Sequence, residues 1–367
     1  MKKHKICKIL LVILAIFLCV AFYELLGICV AYKKQPEVSN TTKKETKNGS
    51  WNECSENTER AVIIEKNPEA LLQRVRLIKN AKKEIILSTF AFQSDESGKL
   101  ILGALHDAAD RGVHIRLLVD GMESWIDMEG NPYFYGLSSH ENVEIKLYNK
   151  ANPLKPWKMM GRMHDKYLIA DGKRYILGGR NTYNYFLGDF PGHKNYDRDV
   201  LVVCDEPEKE NSVNQLLEYF ETIWEQEDSG YFHDNKKLAN RKSVKNAVLE
   251  LQNGYQKYFE ENKERICDTD YTDETFETEK IALVSNPIHT GSKEPVVWYQ
   301  LGELMKNAKN RVKIHTPYII CNDMMYNTWE EIAENVSDFS IMTNSVANNG
   351  NPFGAADYAK NRNRILS

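Results

Sequence analysis

The segment MHDKYLIADGKRYILGGRN, Met163 to Asn181, holds a histidine and a lysine two residues apart, an aspartate-glycine pair, a glycine pair and an asparagine. In an extended strand alternate side chains share a face, so His164 and Lys166 point one way and Asp165 and Tyr167 the other. Asp171-Gly172 signals a two-residue hairpin turn that pairs Ala170 with Lys173 and, counting back, His164 with Gly179. Glycine there removes Cβ bulk and bares backbone N–H groups, as close approach of a phosphate demands, so Gly178 and Gly179 are assigned to phosphate binding. Asn181 emerges just past the histidine and offers its amide to the same oxygens.

An ammonium, an amide and backbone donors around an imidazole suit phosphoryl chemistry with no metal and no cofactor. The histidine attacks phosphorus, and fixed donors hold the charge of a five-coordinate transition state. For that task the imidazole must be neutral and oriented by a carboxylate. Asp197 or Asp199 in YDRDVLV begins an adjacent strand and is placed to serve.

The elements that position these residues follow from periodicity. PEALLQRVRLIKNAKK and SGKLILGALHDAADRG read as amphipathic helices, the second closed by Gly112. EIILSTFAF, VHIRLLVD, NVEIKLYN and DRDVLVVCD read as strands, and SVNQLLEYFETIWEQ as a further helix. Strands alternating with helices predict an α/β fold with a mixed sheet. LIKNAKKEIILSTFAF at 77–92 aligns without gaps on LMKNAKNRVKIHTPYI at 304–319, with Thr89 and Thr316 in register. Helix amphipathicity does not reproduce L-x-K-N-A-K and a threonine at equal distance, so an internal duplication is expected. The offset, 304 minus 77, is 227; a second copy of His164 would fall near position 391, past Ser367. FSIMTNS and AADYAKNRNRIL supply a strand and a helix of an incomplete second repeat.

With 48 Lys+Arg against 52 Asp+Glu and a formal charge of -4, the chain has no strong field for polyanions, which argues against nucleic acid as partner. The seven cysteines show no CxxC or other zinc-ligand spacing. Cys54 and Cys267 form a disulfide only if that region lies outside the cell. The run Ile9 to Tyr32, with Glu24 as its one charge, meets the roughly 20 apolar residues a bilayer core requires, and no small-x-small cleavage site follows it. A single uncleaved anchor in the cell membrane is expected, its globular part outside. NPLKPWKMMGR, just before the motif, mixes lysines with Trp157 and two methionines; lipid contact and a solvated loop are both open to it. The expected divisions are an anchor at 1–34, a polar linker at 35–67, a first domain at 68–229, a charged connector at 230–295 and a second domain at 296–367.

The order His164-x-Lys166-x4-Asp171-x6-Gly178-Gly179-x-Asn181 resembles the complete HKD signature of the phospholipase D superfamily, and the surrounding chain agrees from roughly Pro68 to Gln226, including RMHDK and FETIW. The likeness is to bacterial cardiolipin synthase-like members, which carry a membrane anchor and two such repeats. The resemblance implies a phospholipase D-like fold and a phosphohistidine at His164, with Lys166 and Asn181 as phosphate ligands, Asp171 as a motif member of the catalytic set and Asp197 as the orienting acid. Gly179 stands where many relatives have serine. It further implies a phospholipid substrate, phosphatidylglycerol or similar, whose phosphatidyl group passes to an alcohol or to water. With one motif, the chain would act by pairing two copies, or be an inactive fragment. A phosphodiesterase or nuclease of the same superfamily is the alternative enzyme.

Overall fold

A computed structural model of the chain describes residues 2–49, 59–204, 206, 211–233, 235–345 and 352–366. It forms two compact units: residues 1–35, 53–283 and 288–292, and residues 36–52, 284–287 and 293–367. In chain order the elements are α1 (Lys2–Ala31), α2 (Asn40–Asn48), β1 (Glu59–Ile64), α3 (Asn67–Asn80), β2 (Glu84–Thr89), α4 (Glu96–Asp110), β3 (His114–Asp120), α5 (Gly121–Asp127), α6 (Pro132–Ser138) and β4 (Val143–Tyr148). Then follow β5 (Lys166–Ala170), β6 (Arg174–Gly178), β7 (Asp199–Cys204), α7 (Ser212–Trp224), β8 (Ser229–Tyr231), α8 (Lys242–Glu261), α9 (Lys263–Cys267), β9 (Phe276–Glu277), α10 (Val296–Lys306), β10 (Arg311–His315), α11 (Asp323–Asn335), β11 (Asp338–Met342) and α12 (Pro352–Leu366).

The first unit is built on a nine-stranded mixed sheet in the order β8-β4-β3-β2-β5-β6-β7-β1-β9. The strands β2, β3 and β4 run parallel, and β5 is antiparallel to β2. Both faces are covered, so the central strands are apolar on both sides. On β5, Leu168 and Ala170 join the core beneath α3, α4 and α8, while Tyr167 and Ile169 join the core beneath α7. The carboxyl ends of β2, β3, β4 and β6 and the amino ends of β5 and β7 share one edge, where open α/β sheets place their ligands. The α/β class expected from the alternation of strands and helices is the fold observed.

The second unit pairs β10 with β11 in parallel and packs Trp298, Tyr326, Trp329 and Ile332 into a core of its own. Its chemistry follows the offset of 227. Thr89 Oγ1 donates to the Ala91 carbonyl at 3.1 Å, and Thr316 Oγ1 donates to the Tyr318 carbonyl at 3.0 Å. Asp95 caps α4 by accepting from Gly98 N, and Asn322 caps α11 by accepting from Met325 N.

Four expectations are corrected. The polar linker at 35–67 contains α2, whose N-cap Ser39 accepts from Thr42 N, and β1, which adds to the sheet beside β7. As a strand near the sheet's rim β1 lacks clean alternation, with Ile63 exposed and Glu59 buried where it accepts from Ser212 N and Oγ at the start of α7. The connector at 230–295 contributes β9, and α8 within it packs on α4. The hairpin turn has three residues, Asp171 to Lys173, with Asp171 and Gly172 at φ 55° and 61°. Pairing therefore runs Ala170 with Arg174 and Tyr167 with Leu177, one residue off the expected register, and does not reach a His164–Gly179 pair. Finally, Asp171 lies at the opposite end of β5 from His164, and its carboxylate accepts from the backbone N–H groups of Lys82, Lys83 and Glu84 at 2.7–3.1 Å. There it ties the hairpin to the start of β2, away from the other residues expected in the site. Cys54 lies outside the described residues, and Cys267 carries a free thiol.

Asp171→Ala leaves three N–H groups without their acceptor and puts a Cβ-bearing residue without a local hydrogen bond at positive φ, a loss of about 1–3 kcal/mol. The thermal midpoint of the first unit should fall by about 2–4 °C per kcal/mol. An unchanged midpoint by scanning calorimetry would remove this structural role.

Candidate active site

His164 stands just before β5, at the sheet edge formed by the carboxyl ends of β2 and β3. Its placement begins with Asp120, the last residue of β3, whose buried carboxylate caps α5 by accepting from Met122 N and Glu123 N. The same carboxylate accepts from Arg162 through Nε at 2.9 Å and through Nη2, and from Met163 N at 3.1 Å. Buried Met163 then fixes the backbone one residue before the histidine. On the other side, Asp165 accepts from the Tyr219 hydroxyl of α7 at 2.8 Å. The alternation expected of this strand holds: Asp165 and Tyr167 turn toward Tyr219, and His164 and Lys166 turn toward Phe90.

Phe90, one residue beyond β2, is the floor of the site. Its ring centroid is 4.6 Å from that of His164, the Lys166 ammonium lies 5.3 Å from it, and the Arg162 guanidinium 5.5 Å. Two cations thus lie near the aromatic ring that the imidazole also meets. Lys166 is buried and donates to the His164 carbonyl at 2.6 Å. Burial lowers its pKa to about 8, against the opposing pull of Asp165, Asp197 and Asp120. His164 is exposed as a residue, yet the protein packed around its ring and the charges of Lys166 and Arg162 push its pKa down to about 4. At neutral pH the imidazole is uncharged and the lysine is mostly charged, the pairing that attack on a phosphodiester needs.

Asn181 is buried with its Oδ1 held by Ala91 N at 3.2 Å, which fixes the orientation of its amide. The flanking backbone is zipped to the segment after β2, with Thr182 N donating to Ala91 O and Gln93 N to Thr182 O. Asn181 is thereby set on the segment that carries Phe90.

The two aspartates separate in role. Asp199 is buried between Arg74 at 2.9 Å and Arg180 at 3.2 Å. Asp197 is half-buried, accepts from its neighbour Arg198 N at 2.7 Å, and is close enough to Lys166 to hold up the lysine's pKa. Neither carboxylate hydrogen-bonds the His164 ring among the described residues. The glycine pair acquires a further reason: a Cβ at Gly178 would sit 2.0 Å from Asp199 Oδ1, and one at Gly179 would sit 2.1 Å from Asp197 Oδ2. The space that a serine at 179 would enter is filled by the Asp197 carboxylate.

Sequence reasoning brought His164, Lys166, Asn181 and Asp197 into one neighbourhood. It missed Phe90, Asp120, Arg162 and Arg180 as members. Arg162 lies in the quoted RMHDK and Asp120 closes VHIRLLVD, but only the sheet order shows that the ends of β3 and β5 flank β2 and meet there. Arg180 donates to the carbonyls of Ile64, Glu65 and Asp197 and to Asn67 Oδ1, and nothing in its spacing announces a fully buried arginine.

Comparison with known proteins bears on the family and the fold. Residues 74–224 match the family described as cardiolipin synthase, PLD-like domain. An uncharacterized protein of Helicobacter pylori strain J99 is 26% identical over 338 residues, 83% of this chain and 63% of that protein. Cardiolipin synthase C of Escherichia coli strain K12 is 29% identical over 171 residues, 43% of this chain and 34% of that enzyme. The chain spans 63% and 59% of the two Helicobacter pylori relatives it matches. Among solved structures, phosphatidylserine synthase of Haemophilus influenzae Rd KW20 superposes with a TM-score of 0.58 at 16% identity, covering 89% of this chain and 73% of that one, a likeness of fold.

Removing the nearest charge tests the electrostatics. In Lys166→Gln the pKa of His164 should rise from about 4 toward the ordinary 6.5, read by titrating histidine ring carbon resonances of the full chain. No movement would mean that burial and Arg162 lower it without Lys166.

Proposed function

Given that residues 74–224 form a phospholipase D-like domain of the cardiolipin synthase kind, we propose that the chain is a membrane-anchored phosphatidyltransferase working through a phosphohistidine at His164. The observation that carries this reading is the neutral imidazole set beside a buried lysine on one aromatic floor, at the ligand-binding edge of the sheet. A His164 ring nitrogen forms a bond to phosphorus as the bond from phosphorus to the head-group oxygen breaks. That oxygen leaves with the electron pair and takes a proton from a general acid, and the phosphatidyl group stays on the ring. The hydroxyl of an acceptor alcohol, or of water, then attacks phosphorus, gives its proton to the base that the general acid left behind, and the phosphorus–nitrogen bond breaks to free His164. The first acceptor gives transfer and the second gives hydrolysis.

Lys166 and the Asn181 amide hold the non-bridging oxygens through both displacements, where charge gathers in the transition state. Arg162 adds positive potential while bound to Asp120, and Asp197 acts on Lys166 more directly than on the histidine. The α1 helix, with an unburied apolar stretch at Lys8–Ala31, is the anchor and keeps the site at a lipid surface.

Full-length protein reconstituted in phosphatidylglycerol vesicles should release the head-group alcohol and form a product carrying the transferred phosphatidyl group. His164→Ala should lower that turnover by about 10³-fold or more, with Lys166→Met close behind. Cleavage of DNA with no lipid turnover would overturn the lipid reading. The pH dependence has a sign at each limb. Below about 4 His164 is protonated and cannot attack, and above about 8 Lys166 loses the charge that holds phosphate. We expect kcat/KM to be flat between those limits; a limb near 6.5 would show that the imidazole is not depressed in the working enzyme.

A further inference from the structure

The segment Pro153–Met160, just before the motif, has no part in the chemistry above, yet it is apolar and exposed. Leu154 is 77% exposed, Met160 57% and Trp157 45%. It also touches α1. The Tyr23 hydroxyl donates to the Leu154 carbonyl at 3.0 Å, and Pro156 lies so close to Gly27 that a Cβ there would sit 2.5 Å from Pro156 Cγ. Beyond the loop the join continues, with the Tyr32 hydroxyl donating to the Thr290 carbonyl at 2.5 Å and Ser292 Oγ to the Ala31 carbonyl at 3.2 Å.

These contacts fix depth. Tyr23 precedes Ala31 by eight residues, about 12 Å along a helix axis, and Gly27 by four, about 6 Å. The apolar stretch Lys8–Ala31 has 24 residues. At that rise it is about 36 Å long against a hydrocarbon layer of about 30 Å, so each end overshoots by about 3 Å. The level of Leu154 then falls about 9 Å inside the hydrocarbon and that of Pro156 about 3 Å, on the same arithmetic.

Most of the loop's backbone N–H groups have partners within the chain. Backbone in lipid must satisfy its polar groups internally. Pro153 and Pro156 have no N–H. Leu154 N donates to Asn152 Oδ1 at 2.9 Å and Lys155 N to the Asn152 carbonyl at 2.9 Å. Lys158 N, Met159 N and Gly161 N donate to the carbonyls of Lys155, Pro156 and Lys158, and Asn149 Nδ2 bonds the Lys158 and Gly161 carbonyls at 2.7 and 2.8 Å. The exposed lysines Lys150 and Lys155 have stems long enough to reach phosphate groups at the surface. Beside them α5, which starts where Gly121 packs on Lys150, carries Trp125 and Ile126 at 67% and 70% exposure.

We propose that Pro153–Met160 is a membrane-immersed loop that rides in the bilayer α1 crosses, with Leu154 and Trp157 inserted and the His164 site held at head-group level four residues further on. The proposal rests on the reading of α1 as an anchor. It makes the bilayer that holds α1 the source of the phosphodiester: the substrate reaches His164 by lateral motion, without leaving the membrane.

The test uses full-length protein in phosphatidylglycerol vesicles containing lipids brominated at defined acyl depths. The tryptophan emission lost in Trp157→Phe isolates the signal of Trp157. We expect flotation with the vesicles, resistance to alkaline extraction, and quenching of the Trp157 signal by bromines near the head-group end of the chains. Trp157→Glu should lower turnover of vesicle lipid by about tenfold and leave turnover of the same lipid in detergent micelles within about twofold. A chain that resists extraction while Trp157 stays unquenched overturns the immersed loop and leaves the anchor intact. A chain that fails to float overturns the anchor reading, and the loop proposal falls with it. Equal losses of turnover in vesicles and micelles also count against the loop, because they show damage to the site.

Discussion

Two carboxylates occupy the space that side chains at Gly178 and Gly179 would take, and the corner of the sheet that completes the site depends on that approach. Asp199 is the buried member. Leaving such a charge unpaired costs several kcal/mol, so it is tolerable only between Arg74 and Arg180. Arg180, itself fully buried, spends its remaining N–H groups on the carbonyls of Ile64, Glu65 and Asp197 and on Asn67 Oδ1. One ion cluster thereby joins the ends of β6, β7 and β1 to the start of α3. Asp197 is held where its charge acts on Lys166.

A second carboxylate-arginine pair controls the other side. Asp120 binds Arg162 and Met163 N and so sets the chain direction into β5. In both corners the arginine is committed to an acid, and the lysine of the motif is left with a backbone carbonyl as its hydrogen-bond partner. The result is local positive potential without a basic protein: a chain of net charge -4 keeps Lys166 and Arg162 around His164. Rigid corners also keep the donors preorganised, as the proposed chemistry requires.

The core of the fold was legible because its strands are buried on both faces. EIILST, HIRLLVD and DVLVVC are near-continuous apolar runs, and the helices between them carry a plain 3.6-residue period. Strand β1 was lost in a polar stretch, since its first two residues, Glu59 and Arg60, are engaged in hydrogen bonds that only the fold creates. The hairpin was found, but its register slipped by one because Asp-Gly fits a two-residue and a three-residue turn alike. In the site, the shared face of His164 and Lys166 follows from strand geometry. Phe90 and Asp120 do not, since they are brought there by the sheet order. The glycine pair was read as room for phosphate; the structure adds a second reason for it, the close approach of Asp197 and Asp199.

The proposed function turns on His164 carrying the phosphatidyl group between donor and acceptor. Full-length protein turning over phosphatidylglycerol with a labelled phosphate should be quenched rapidly in base, where phosphohistidine survives, and mapped by peptide mass spectrometry. An acid-labile adduct is expected on the peptide containing His164, forming no later than product and absent from His164→Ala. Turnover with no adduct, or an adduct on another residue, would contradict it.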